Sequence, residues 1–314
     1  GMDAYVEPHL AWRLLGPDDS AELDHFRAQL DALEDSVLSG VAASITERDL
    51  RVAHAVGGYD AYQSLSAYAI AYIADGDPLR MYLMGGVHPT HRHLHIGTAL
   101  LHWQMTHATA WRDEFRPGQP LWLGCYAELG RPGLERVATN LGFTRERFYY
   151  DLHRDLTLPL ILPGVDGVEL EPFAPVHSEP VRQLHNICFR GMGDEVAEDV
   201  WAARLHDEDF RPEWSFLARV EDRVVGYAMS GVADTDDDGA PVGWIERFGV
   251  HPGHRGHKIS LALMGRCLQA MRDAGCREAG IGIDTTDGVG VQRLCAELGW
   301  TTRDAVALLT KVVP

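Results

Sequence analysis

Trp244-Ile245-Glu246-Arg247-Phe248-Gly249-Val250-His251-Pro252-Gly253-His254-Arg255-Gly256-His257-Lys258-Ile259-Ser260 is the stretch whose reading decides the fold. Trp244–Val250 reads as a strand. Pro252, Gly253 and Gly256 break it into a tight turn. From Ile259 the apolar residues fall at helical spacing (Leu261, Met264, Leu268, Met271), which predicts a helix to Ala274. A turn feeding a helix N-terminus presents unpaired backbone N–H groups and the positive end of the helix dipole. That is an anion site suited to a pyrophosphate.

The stretch is not alone. Val250-His251-Pro252-Gly253-His254-Arg255 repeats Val87-His88-Pro89-Thr90-His91-Arg92 at an offset of 163, and Leu298-Gly299-Trp300 repeats Leu141-Gly142-Phe143 at an offset of 157. The short strands Trp12–Leu15 and Val168–Glu171 open the two halves at an offset of 156. Ordered landmarks at nearly constant spacing indicate two tandem copies of one α/β domain. The prolines and glycines of Leu158–Gly167 mark the linker, so the expected domains are 2–160 and 165–314.

In the first copy the expected elements are a strand at Ala11–Leu15, a helix capped by Asp18 and running to about Leu38, and strands at Leu65–Ala74 and Arg80–Val87. A helix at Ile96–Trp111, a strand at Leu121–Ala127, a helix at Gly133–Leu141 and a strand at Arg147–Leu152 follow. The second copy is expected to repeat this, with a hairpin over Glu221-Asp222-Arg223 and strands at Trp244–Val250, Ala279–Asp284 and Ala305–Val312. Each half is thus a mixed sheet with helices on its faces.

The arrangement resembles the GNAT (GCN5-related N-acetyltransferase) superfamily in a tandem, two-domain form. The family's signature loop is Arg/Gln-x-x-Gly-x-Gly/Ala. The two loops are Arg92-His93-Leu94-His95-Ile96-Gly97 and Arg255-Gly256-His257-Lys258-Ile259-Ser260, and Asp284–Gly290 leading to Leu298-Gly299-Trp300 is similar to the family's last strand and helix. The resemblance implies acetyl-CoA as co-substrate and an amine as acceptor. Phe248, Gly249 and Val250 would contact the thioester arm, Arg255 to Ser260 would hold the pyrophosphate, and Asp287 is counted with the cofactor contacts. In the first half Val87, Arg92, His93, His95 and Gly97 take the corresponding places. His95 and Lys258 depart from the family's middle glycine, which lets backbone approach the phosphates closely; Lys258 can instead add a charge contact.

Acyl transfer to an amine requires loss of the ammonium proton. Four residues before the loop valine stands Glu246 in the second half and Leu83 in the first, which favours the C-terminal half for chemistry. Alternation predicts that Glu246 shares a strand face with Phe248 and Val250, where desolvation raises its pKa. The alternative is a glutamate paired with Arg247 or another surface charge. The tyrosine that protonates the leaving thiolate in many family members is replaced by Ala138 and by Cys295, a candidate weak acid or a packing residue. Two rivals stand beside this reading: a non-catalytic acyl-CoA-binding or scaffolding module, and an active first half working through its Gly97 loop and Glu128.

Composition bounds the rest. A net charge of −18 disfavours nonspecific nucleic-acid binding and suits a cationic small substrate or plain solubility. Ala67–Ala74, the longest apolar stretch, is far short of the ~20 residues that span a bilayer. The acidic start (Asp3, Glu7, Asp18, Asp19) has no apolar run, and Gly1 ahead of Met2 is set aside. Five scattered cysteines without a CxxC point to a reducing, cytoplasmic setting. No metal is expected: the histidines 88, 91, 93 and 95 lack acidic or thiol companions, and Asp234–Gly239 reads as a hairpin tip, since Ile245 stands where a calcium loop needs glutamate. Sequence leaves the acceptor and the oligomeric state open.

Overall fold

The computed structural model describes residues 3–34, 54–74, 76–191, 193, 195–256 and 258–314. The chain forms two compact units, Gly1–Phe148 with Asp304–Pro314, and Tyr149–Arg303.

In the first unit the strands β1 (Ala11–Leu14), β2 (His54–Tyr59), β3 (Leu65–Ala74), β4 (Leu79–Val87) and β5 (Leu121–Glu128) lie in that order, with β12 (Thr301–Val313) beside β5. All neighbours are antiparallel except β4 and β5. Helix α1 (Ser20–Glu34) packs Leu23, Phe26 and Leu30 on one face with Tyr68 and Ile70. Helices α2 (Ile96–Phe115) and α3 (Pro132–Asn140) cover the other face, where Leu101, Ala108 and Ala138 meet Met81, Leu83 and Leu123.

The second unit repeats the plan. β6 (Thr144–Asp155), from Tyr149 onward, stands beside β11 (Glu278–Thr285), followed by β10 (Pro241–Val250), β9 (Arg223–Thr235), β8 (Phe210–Val220) and β7 (Glu169–Pro172). Only β10 and β11 of the pairs from β7 to β11 are parallel. Helices α4 (Ser178–Cys188) and α5 (Glu198–Leu205) cover one face. Helices α6 (Ile259–Asp273) and α7 (Val289–Leu298) cover the other, with Leu261, Met264, Leu268 and Met271 in the core as their spacing predicts.

Several expectations are corrected. A cut at 158–167 would leave residues 149–157 in the first half and 304–314 in the second; the compact units assign both the other way. β2 was not anticipated because Gly57 and Gly58 argue against a strand. They are needed there: an added Cβ would lie 2.9 Å from Leu15 Cδ2 at Gly57 and 2.6 Å from Trp12 Cζ3 at Gly58. Asp18 does not cap α1. Asp19 accepts the Gly16 N–H at 2.8 Å across a short 3-10 turn, Pro17–Asp19, ahead of the helix. The expected continuation of α1 to Leu38 falls outside the described residues.

Both Leu-Gly landmarks end a helix with glycine in the left-handed region, Gly142 at φ +93° and Gly299 at φ +74°. Each also leaves a leucine carbonyl that accepts a cation: Lys311 Nζ reaches Leu141 O at 2.7 Å, and Arg154 Nε reaches Leu298 O at 2.7 Å. Among the described residues no helix is long and apolar enough to cross a membrane, and the five cysteines are free.

Candidate active site

In the second unit β10 stays paired with β9 as far as Val250, yet its pairing with β11 covers only Gly243–Ile245 opposite Ala279–Ile281. Past that point the two parallel strands lose their pairing. The backbone of Glu246–Val250 that faces β11 is thus freed from the ladder, and such groups seek other partners. The notch ends at the turn leading to α6. β4 and β5 of the first unit lose their pairing in the same way after Tyr82 opposite Gly124.

Among the described residues, the loops that follow share their left-handed positions in both copies. His93 (φ 65°) and Gly256 (φ 86°) are left-handed, and so are His95 (φ 60°) and Lys258 (φ 62°) at the middle-glycine position. The bulky residues therefore adopt the conformation that glycine would, at a strain of about 1–2 kcal/mol each. Ile96 and Ile259, 1% and 2% exposed, anchor the two helix starts in the core. Neither α2 nor α6 has a side-chain cap or an acidic residue in its first turn, so the leading N–H groups are left for an external anion. A Cβ added at Gly97 meets nothing within 4 Å, and half-buried Ser260 fills the matching position in the second copy. This open, donor-lined cradle fits a pyrophosphate.

The loop arginines bond to the backbone of their own unit. Arg255 Nε donates to Val250 O at 3.2 Å and its Nη2 to Cys188 O at 3.3 Å; Arg92 Nη2 reaches Val87 O at 3.4 Å. Each pins the loop to the last carbonyl of its strand. His88 and His251 fasten the turn as well, their Nδ1 atoms accepting from Thr90 N at 3.2 Å and Gly253 N at 3.0 Å. Asp287 accepts the Val289 N–H at 2.9 Å and so shapes the entry to α7. His257 lies outside the described residues.

Glu246 occupies a β-bulge. Ile245 pairs with Ser230 and Arg247 with Met229, leaving Glu246 as the extra residue. This overturns the expected alternation. Ile245, Phe248 and Val250 pack toward the α6 side, while Glu246 is surrounded by Arg247, Asp207, Asp209 and Arg204 from β10, the end of α5 and the turn after it. Desolvation raises its carboxyl above the ordinary range despite the opposing Arg247 charge. The predicted pairing with Arg247 is loose, Nη2 to Oε2 at 3.6 Å. The first unit has no such bulge between β3 and β4, and Leu83 is a core residue at 4% exposure. Cys295 packs half-buried against the α6 and α7 core, and Ala138 is fully buried.

Sequence reading missed the floor beside the bulge. His185 on α4 bonds Tyr227 on β9, Nδ1 to Oη at 2.5 Å, and its ring stands 4.7 Å from Phe189 and 5.3 Å from Trp201. Burial first, then the Arg247 and Arg204 charges, lower the imidazole to about 4, and burial raises the Tyr227 hydroxyl. Tyr227 and Cys188 lie against Gly249, where an added Cβ would stand 2.9 Å from Tyr227 Cε1 and 3.0 Å from Cys188 Sγ. Nothing in the local sequence joins these residues, which come from α4, β9 and β10.

A splayed parallel pair and an uncapped helix N-terminus recur in both units, and the second adds the bulged acid. Residues 178–300 match the model of the acetyltransferase (GNAT) family. A mycothiol acetyltransferase of Thermobispora bispora is 29% identical over 238 residues, covering 74% of this chain and 75% of that one. A GCN5-related N-acetyltransferase from Sphaerobacter thermophilus superposes with a TM-score of 0.64 at 20% identity over 98% of this chain and 97% of its own. A tandem GNAT protein from the clavulanic acid biosynthesis pathway superposes with a TM-score of 0.51 at 18% identity, covering 97% and 99%. Residues 178–300 thus carry the GNAT acetyltransferase pattern, and the chain as a whole shares the fold of tandem GNAT proteins.

Proposed function

We propose that the second unit acetylates the amine of a small acceptor using acetyl-CoA, with Glu246 as the base. The coincidence that carries this reading is on one strand: the bulge that lifts Glu246 out of the ladder lies where the β10–β11 pairing ends. The leading amides of α6, with Gly256, Lys258 and Ser260, would receive the pyrophosphate, and the freed backbone of Phe248–Val250 would align the thioester arm. Glu246, directly or through a water, takes the proton from the ammonium. The amine nitrogen then bonds to the thioester carbonyl carbon as the C–S bond breaks, and CoA leaves as the thiolate. The half-buried Cys295 stands in this reading as the candidate proton donor to that thiolate. The free cysteines accord with a reducing, cytoplasmic setting.

Calorimetric titration with acetyl-CoA, comparing wild type with Arg255→Ala and Arg92→Ala, tests the assignment. Binding weakened by Arg255→Ala alone supports the second unit. Loss with Arg92→Ala alone moves the site to the first, whose uncapped α2 and left-handed His95 favour a second reading in which that unit also holds acyl-CoA without a base. Failure of wild type to bind would end the transferase reading.

A further inference from the structure

Around the indole of Trp201 the second unit gathers hydrogen-bond donors that lack acceptors. Trp201 is 1% exposed, and its Nε1 is enclosed without a partner among the described residues. The guanidinium carbon of Arg247 stands 5.8 Å from the same ring, and Arg247 Nη1 is likewise enclosed and unpartnered. The remaining ionic contact of Arg247 is the loose 3.6 Å approach to Glu246. His185 also lies against Trp201, its ring 5.3 Å away, and its Nδ1 shares a hydrogen bond with the Tyr227 hydroxyl. Arg204, in the last turn of α5, adds a second positive charge facing both His185 and Arg247.

Buried polar groups are nearly always satisfied, so adjacent orphans call for one explanation. A single water has two acceptor lone pairs and no charge. A carboxylate has about four acceptor sites and neutralises a guanidinium. Acidic groups adjoin the same cluster: Asp207 and Asp209 act on Glu246, which approaches Arg247 at 3.6 Å. Cation-rich donors beside acidic acceptors form a complement to a zwitterion.

We propose that the acceptor is an amino acid, its ammonium held by Glu246 with Asp207 and Asp209, and its carboxylate held by Arg247 and Trp201 Nε1. The proposal rests on the second unit being the transferase, and it names the acceptor class of that site. A carboxylate there also fixes the amine beside Glu246, which orients it for attack.

Glycine, L-alanine, L-serine and L-cysteine are compared with their carboxamides, by calorimetric binding and by acetyl transfer from acetyl-CoA. Expected is a preference for the free acids of roughly 10- to 100-fold, the range for a charged hydrogen-bonded partner. It should collapse in Arg247→Gln and shrink in Trp201→Phe, which keeps the packing and removes only the N–H; thermal melting checks that both variants fold. Equal binding of acids and amides, a preference that survives Arg247→Gln in a folded protein, or no binding of any of the eight compounds overturns the proposal. Acid-selective binding without any acetyl transfer would sustain carboxylate recognition while removing the transferase reading.

Discussion

Glu246, the proposed base, has a raised carboxyl that can take a proton only once ionised, so the rate should climb with pH through a midpoint above the ordinary glutamate value of 4.5. Glu246→Gln is expected to lower kcat by roughly 10²–10⁴-fold, to abolish that limb, and to leave acetyl-CoA affinity unchanged. Steady-state rates across pH with parallel calorimetry read all three. The stability sign is opposite. A fold that raises a carboxyl favours its protonated form, so the contribution is present below pH 4.5 and lost as pH rises through the folded value. Glu246→Gln should therefore resist urea better than wild type near pH 7, with the gap closing toward pH 4. His185 runs the other way: lowered from 6.5 to about 4, it contributes stability that is complete above 6.5 and drains away as pH falls toward 4. In His185→Gln the unfolding midpoint should vary less between those limits.

At the scale of elements, the cofactor turn trades backbone strain for side chain. Lys258 holds a left-handed conformation that glycine adopts without cost, so Lys258→Gly is expected to stabilise the fold by about 1 kcal/mol. If Lys258 contributes charge to phosphate, the same variant should bind acetyl-CoA more weakly while melting higher, an opposition that packing alone does not produce. The end of α7 gives a second case. Gly299 is left-handed, and an added Cβ would stand 2.9 Å from Arg154 Nε, the group that donates to Leu298 O. Gly299→Ala should cost about 1–3 kcal/mol in denaturant unfolding. The Leu-Gly landmark signals that turn in the sequence, but its cation does not: Arg154 and Leu298 are 144 residues apart.

At the scale of the molecule, the units do not follow the chain. The first is completed by Asp304–Pro314 and the second begins at Tyr149. Deleting residues 304–314 removes Ala307 and Leu309, both fully buried, from the core of the first unit. Hydrogen exchange should then rise across β5 and α3 in that unit. A fragment spanning 165–314, the second half as the linker would define it, lacks Leu152, a fully buried core residue of the second unit. It should expose apolar surface and bind a hydrophobic dye, whereas the full chain should not.

Sequence by itself determined the repeated plan, the turn that feeds each long helix and the asymmetry between Glu246 and Leu83, because each is written in a short stretch whose backbone preferences act locally. It misread the face of Glu246, since alternation has a period of two and a bulge, set by register against β9, inserts one residue. It hid β2 behind two glycines whose reason lies in Trp12 and Leu15 across the sheet. Only the tertiary structure decided which closing strand completes which unit and which side chains ring Trp201. Both depend on pairing and packing between residues far apart in the chain, and α4, α5, β9 and β10 carry no shared motif.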